Sequence, residues 1–187
     1  MANTDAPRGA TPVNRSGANY TGNVEKFGVD SSNGTAIFVG DFVVQEADGN
    51  VTPATAGDNN DILGAVVSVQ VDRTVGATEH PGYLPASTSG DVFVCLAQDG
   101  QYFRIQDNGT LGTDARGARA NFEANAGSTT TGRSAHEINA STEGTGVEHQ
   151  LILVDAVDAP DNDITAANAE WIVGVNIPQR GPETTGV

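Results

Sequence analysis

The chain carries a single cysteine in 187 residues, so no disulfide can form within it. Cys95 sits in the run VFVCLA, where a thiol is expected to act as a small buried hydrophobe rather than a nucleophile. A reducing compartment is compatible with this usage. Basic residues are also scarce: nine Lys and Arg face 24 Asp and Glu, for a formal net charge of −15. Repulsion from a polyphosphate backbone argues against a nucleic-acid partner. Long hydrophobic runs are missing as well. The longest apolar-leaning stretch, ILGAVVSVQV, falls far short of the roughly 20 residues that cross a bilayer as a helix, and the polar opening has no apolar signal region. A soluble product without a membrane partner, made in the cytoplasm without a signal, is expected.

Catalytic and metal-binding spacings are absent too. Each of the three histidines lies beside an acid, as Glu79 and His80, His136 and Glu137, and Glu148 and His149. Neighbours in a strand point to opposite faces, so adjacency does not make a catalytic pair. No His/Cys spacing marks zinc. The acids Asp155, Asp158, Asp161 and Asp163 miss the register of a calcium loop and its glycine, which favours a solvated loop. No G-x-S-x-G elbow is present. One stretch, GSTTTGRS at 127–134, imitates a nucleotide-binding loop, followed by LILVD with its terminal Asp155. Such a loop needs a buried strand before it, a helix after it and a lysine, whereas RANFEANA, AHEINASTEG and Arg133 occupy these places. The expectation is a chain without enzymatic activity, cofactor or metal.

What is present reads as all-β. Hydrophobic residues make up 37% of the chain, and Gly, Thr, Asn and Asp are abundant, so a modest core with long polar loops is expected in a single domain. Residues 1–33 hold few core-forming side chains and read as an extended N-terminal arm; the domain proper is expected over 34–187. TAIFVGDFVVQ is a strand interrupted at Gly40 and Asp41, and EADGNVTPA carries the turn signal Asp48, Gly49. In ILGAVVSVQVD, strict alternation puts Leu63, Ala65, Val67, Val69 and Val71 on one face. DVFVCLAQDGQYFRIQDNG, with Asp99 and Gly100 at its centre, reads as the clearest hairpin. TDARGARANFEANA suggests at most a short helix capped by Thr113, within a loop insertion around 107–147. HQLILVDAV and EWIVGVNI are late strands, the second placing Trp171, Val173, Val175 and Ile177 on one face. Phe38, Phe42, Phe93, Phe103 and Trp171 all fall in strands, where core packing accounts for them.

The order of these segments carries a resemblance. The opening APRGATPVNRSG, then GDFVVQEADGNVTPATAGDNNDILGAVVSV, GYLPASTSGDVFV, FRIQ, TTTGRSAHEI and WIVGVNI together resemble the head decoration (cement) proteins of tailed bacteriophages. The part from Gly40 to Val69 is also similar to a wider group of small capsid-decoration β-barrels with a GD-V-V, G-V-T-A, LG-V-V rhythm. The resemblance covers most of the chain through short motifs of common residues. It implies a β-barrel or β-tulip domain, commonly a homotrimer, on the outer capsid surface of the virion. There it would tie major capsid protein subunits together, with no catalytic residue. The 1–33 arm and the 107–147 insertion exceed what a minimal decoration barrel needs.

Charge placement supplies candidate contacts. Residues 1–26 and 101–135 each hold one more basic than acidic group, whereas 36–100 and 136–187 each carry −8. A surface for an acidic partner is therefore sought among Arg8, Arg15, Arg116, Arg119 and Arg133, and Tyr20 in the polar arm is a candidate anchor on a neighbouring subunit. Other readings stay open: a head fibre or tail-tube component, or a carbohydrate-binding adhesive β-module, which would need an exposed aromatic platform.

Overall fold

β-branched and aromatic runs separated by Gly, Asn and Asp leave little room for helix. The computed structural model, which describes residues 3–19, 22–71 and 81–180, is all-β, with only short 3-10 turns at Thr113–Ala115 and Ala140–Thr142. Its strands are β1 (Thr11–Val13), β2 (Val24–Val29), β3 (Phe42–Gln45), β4 (Val51–Pro53), β5 (Gly64–Val71), β6 (Gly90–Leu96), β7 (Tyr102–Gln106), β8 (Arg119–Ala120), β9 (Phe122–Glu123), β10 (Glu137–Ile138), β11 (Leu151–Ala156) and β12 (Glu170–Val175). One five-stranded sheet runs β1-β7-β12-β11-β8, a second runs β2-β6-β5-β3-β4, and β9 pairs with β10 in a separate ribbon. All of these ladders are antiparallel.

Two cores follow from the two faces of the second sheet. Between the sheets, Phe103, Ile105, Leu151, Leu153, Trp171 and Val173 pack with Phe42, Ala65 and Cys95, and the ribbon adds Phe122 and Ile138. The Phe42 ring meets Phe103 and Phe122 edge-on, at centroid distances of 5.8 and 5.2 Å, a preferred aromatic geometry. On its other face the second sheet curls around Phe27, Val43, Leu63, Val66, Val92 and Val94. This curl brings the edge strands β2 and β4 into contact, giving a barrel-like unit packed against a flatter sheet. Burial leaves Cys95 fully covered and pushes its thiol up to about 11, consistent with a packing role.

Several sequence expectations need correction. The described residues of the 1–33 segment do not form a separate arm: β1 pairs with β7 and β2 with β6, and Ala10, Val13, Phe27 and Val29 are buried. Sparse hydrophobes suffice there because each strand borrows its core from the sheet it joins. The clearest hairpin is not a hairpin either. Gly100 does adopt a left-handed φ of 85°, yet β6 belongs to the curled sheet and β7 to the flatter one, so the turn passes the chain between sheets. Strict alternation in β5 fails because a bulge interrupts its pairing with β6 between Val66 and Ser68. Ala65 and Val67 consequently face the inter-sheet core, whereas Val69 and Val71, beyond the bulge, face the curled one; Leu63, which precedes β5, also packs in the curled core. Thr113 does not cap its 3-10 turn; Gly112 holds that position without a side-chain bond. The 107–147 segment is no appended loop, since β8 extends the flatter sheet and the β9–β10 ribbon closes its core.

Candidate functional site

Three short motifs that are far apart in sequence cross at one point. Ala10 N–H donates to the Gly40 carbonyl at 2.8 Å, Gly40 N–H to Val66 at 2.8 Å, Ser134 N–H to Val39 at 2.9 Å and Val39 N–H to Gly132 at 3.1 Å. The crossing depends on glycine. Gly9 and Gly40 have φ of +67° and +102°, and a Cβ on Gly9 would overlap the Gly40 carbonyl and the Ser134 side chain. Only a residue without a side chain permits both the left-handed backbone and this approach.

Beneath the crossing lies a buried polar cluster. The Asp41 Oδ2 accepts from Phe38 N–H at 2.8 Å, His136 Nδ1 accepts from Phe42 N–H at 3.2 Å, and the Ser134 hydroxyl accepts from His136 N–H at 3.0 Å. The remaining oxygen, Asp41 Oδ1, faces His136 Nε2 at 3.4 Å without forming a hydrogen bond. Burial pushes Asp41 up to about 6, against the Ser134 hydroxyl and the Phe38 N–H, which favour its charge. The same burial pushes His136 down to about 4. The contact is therefore not an ion pair near neutrality, because the imidazole is uncharged.

Ser, His and Asp here have the composition of a hydrolytic triad but not its wiring. Because Nδ1 is occupied by the Phe42 N–H, the proton of the neutral ring sits on Nε2, leaving no lone pair to take a proton from Ser134. The cluster instead pins the 132–136 segment to the start of β3. Sequence reasoning missed it, although Asp41 inside the apolar run IFVGDFVV was a usable signal for a buried acid.

Above the crossing opens a groove of about 440 Å³, with Ala10, Pro12, Val39 and Val66 as apolar lining and Arg8 and Arg133 contributing the charge. Both arginines are exposed, and neither has a side-chain hydrogen bond or ion pair among the described residues. Other basic groups are engaged: Arg104 with Glu170, Arg116 with Asp155 at 2.5 Å, Arg180 with Glu25 at 2.9 Å and Lys26 with Asp91 at 2.8 Å. In a chain of charge −15, two guanidiniums without an acid among the described residues share one groove.

The predicted contact residues thus separate. Arg8 and Arg133 come together, and Arg15, exposed and likewise without a side-chain partner among the described residues, sits in a turn organised by the Asn14 side chain. Arg119 opens β8 and Arg116 lies just before it, at the opposite edge of the flatter sheet from β1, roughly 19 Å away at the usual strand spacing. Arg119 is spent within the chain, on Asn176 Oδ1 at 3.2 Å and the Thr145 carbonyl at 3.3 Å. Tyr20 lies outside the described residues.

The GSTTTGRS loop has its own structural account. Ser128 N–H donates to the Arg133 carbonyl and Gly132 N–H to that of Ser128, each at 2.8 Å, while Thr131 and Arg133 N–H groups bond hydroxyls of the same turn. These donors are consumed internally rather than aimed at a phosphate. A Cβ on Gly127 would overlap the Phe38 ring, and one on Gly132 would meet the Gly82 carbonyl at 2.5 Å. Packing explains both glycines. Of the acids in and after β11, Asp155 pairs with Arg116 and Asp163 accepts from Thr165. Among the described residues the exposed large hydrophobics are Val24 and Val147, so no exposed aromatic platform is found there.

No family model, curated protein or solved structure matches the chain.

Proposed function

We propose that this chain is a structural virion protein that binds the exterior of an icosahedral phage head and bridges major capsid protein subunits, acting as a homotrimer. The observation that carries the reading is the crossing itself. The opening, GD and GRS motifs on which the resemblance rests are the segments that meet, and they jointly display Arg8 and Arg133. An exposed arginine pair beside apolar lining suits an acidic, partly apolar patch on a capsid subunit. Strong negative charge elsewhere discourages adhesion to other surfaces.

Binding only to the assembled lattice would stabilise it by mass action, and many copies per shell multiply a modest local affinity. Because residues 3–19 are largely built into the domain, the contact surface is preorganised and little ordering entropy opposes docking. Gold-labelled antibody against the chain, applied to virions of the phage that encodes it, tests the reading. Label over heads is expected. Label confined to tails would transfer the chain to a tail structure, and unlabelled virions would overturn a virion role.

A further inference from the structure

Far from the arginine groove, two loops bring together an imidazole and two carboxylates. Asp58 comes from the loop between β4 and β5, Glu148 and His149 from the residues just before β11, and one ligand atom of each lies within 4.8 Å of the others. The set is more than an acidic patch because it includes a ring nitrogen: His149 Nδ1 stands 2.8 Å from Asp58 Oδ1.

Its surroundings hold these donors in place. Asn121, 5% exposed, donates from Nδ2 to Asp58 Oδ1 at 2.6 Å, while its own Oδ1 accepts from Gln150 N–H at 3.1 Å. Gln150, fully buried, fixes the Asp58 loop by donating to the Thr55 and Asn60 carbonyls at 2.9 and 3.1 Å and accepting from Gly57 N–H at 2.9 Å. Asn59 N–H donates to the Glu148 carbonyl at 2.8 Å, tying the two loops side by side. A Cβ on Gly146 would overlap the Glu148 carboxylate, so glycine there leaves room for that side chain.

We propose that Asp58, Glu148 and His149 form a binding site for a first-row divalent transition-metal ion such as zinc. One nitrogen and two oxygens suit such an ion better than magnesium or calcium, which favour oxygen alone. Bonds of about 2.0–2.1 Å at tetrahedral angles put ligand atoms roughly 3.3 Å apart. The Asp58 to His149 contact must therefore open slightly while Glu148 swings in. The ion takes the place of the Nδ1 proton, which moves to Nε2, and solvent completes the coordination. Asn121 supplies the outer hydrogen bond that orients a metal-binding carboxylate. Bound zinc would rivet the Asp58 loop to the segment that leads into β11 of the flatter sheet.

Titrating the full chain with zinc chloride by calorimetry, alongside thermal unfolding with and without zinc, tests the site. One zinc per chain and a raised melting temperature are expected, with no comparable shift from magnesium chloride. His149→Ala should weaken zinc binding about tenfold or more and abolish the thermal shift, Asp58→Asn should weaken binding too, and His80→Ala should leave both unchanged. Absence of zinc binding to the wild-type chain, or equal binding by a folded His149→Ala variant, would overturn the proposal.

Discussion

His136 Nε2 lies 3.4 Å from Asp41 Oδ1, with both side chains about one-twentieth exposed, at 5% and 4%. Their titrations pull in opposite directions. Asp41, raised from 3.8 to about 6, contributes stability that is full below its ordinary value and is lost as pH rises through about 6. His136, lowered from 6.5 to about 4, contributes stability that is full above 6.5 and is lost as pH falls through about 4. Between about 4 and 6 the native pair and the unfolded pair each hold one proton, so the two effects offset.

Removing the imidazole should expose the hidden half. In His136→Asn, stability should climb as pH falls through about 6, beyond any climb in the wild type. Glu137, which burial and then the nearby Asp5 charge push up to about 7, adds a gain on acidification from pH 8 in both proteins, and Glu137→Gln should flatten it. Urea unfolding at several pH values measures these slopes. Parallel slopes for wild type and His136→Asn below pH 6 would refute the offset.

Gly9 marks the crossing of the motifs. Gly9→Ala forces a Cβ into the Gly40 carbonyl at a φ of +67° and should cost about 1–3 kcal/mol. Gly49→Ala, at a φ of +91° with open space around it, should cost only about 1 kcal/mol. Denaturant midpoints rank the two; equal midpoints would remove the case for a crossing that only glycine fits.

Asp107 serves the inter-sheet core. Its carboxylate accepts from Trp171 Nε1 at 3.0 Å and Ala169 N–H at 2.9 Å. Asp107→Ala strands two buried donors, each costing about 1–3 kcal/mol, and should shift the emission of the sole tryptophan. Thermal unfolding followed by fluorescence reads both effects.

Strand character was legible wherever a segment's own side chains decide it. The alternation in EWIVGVNI put Trp171, Val173, Val175 and Ile177 on one face, and the first three of these lie against the inter-sheet core. Partner choice was not legible, because β1 and β2 carry few hydrophobes and take their burial from β7 and β6. A glycine turn after β6 reads the same whether the next strand folds back or crosses to another sheet. The bulge in β5 was equally hidden, since alternation presumes an unbroken ladder. Charge counting found Arg8 and Arg133, but their meeting depends on backbone contacts among residues 9, 40 and 134 that no periodicity encodes.

On the proposed function, Arg8 and Arg133 dock this chain onto a capsid. Because neither has a side-chain partner among the described residues, Arg8→Glu with Arg133→Glu should change folding stability by no more than about 0.5 kcal/mol. The deciding measurement is co-sedimentation of the purified chain with phage heads that lack it, wild type against this double variant. Saturable wild-type binding at a fixed ratio to the major capsid protein, lost in the folded double variant, is the predicted result. A wild-type chain that stays in the supernatant, or a double variant that sediments equally well, would contradict the account.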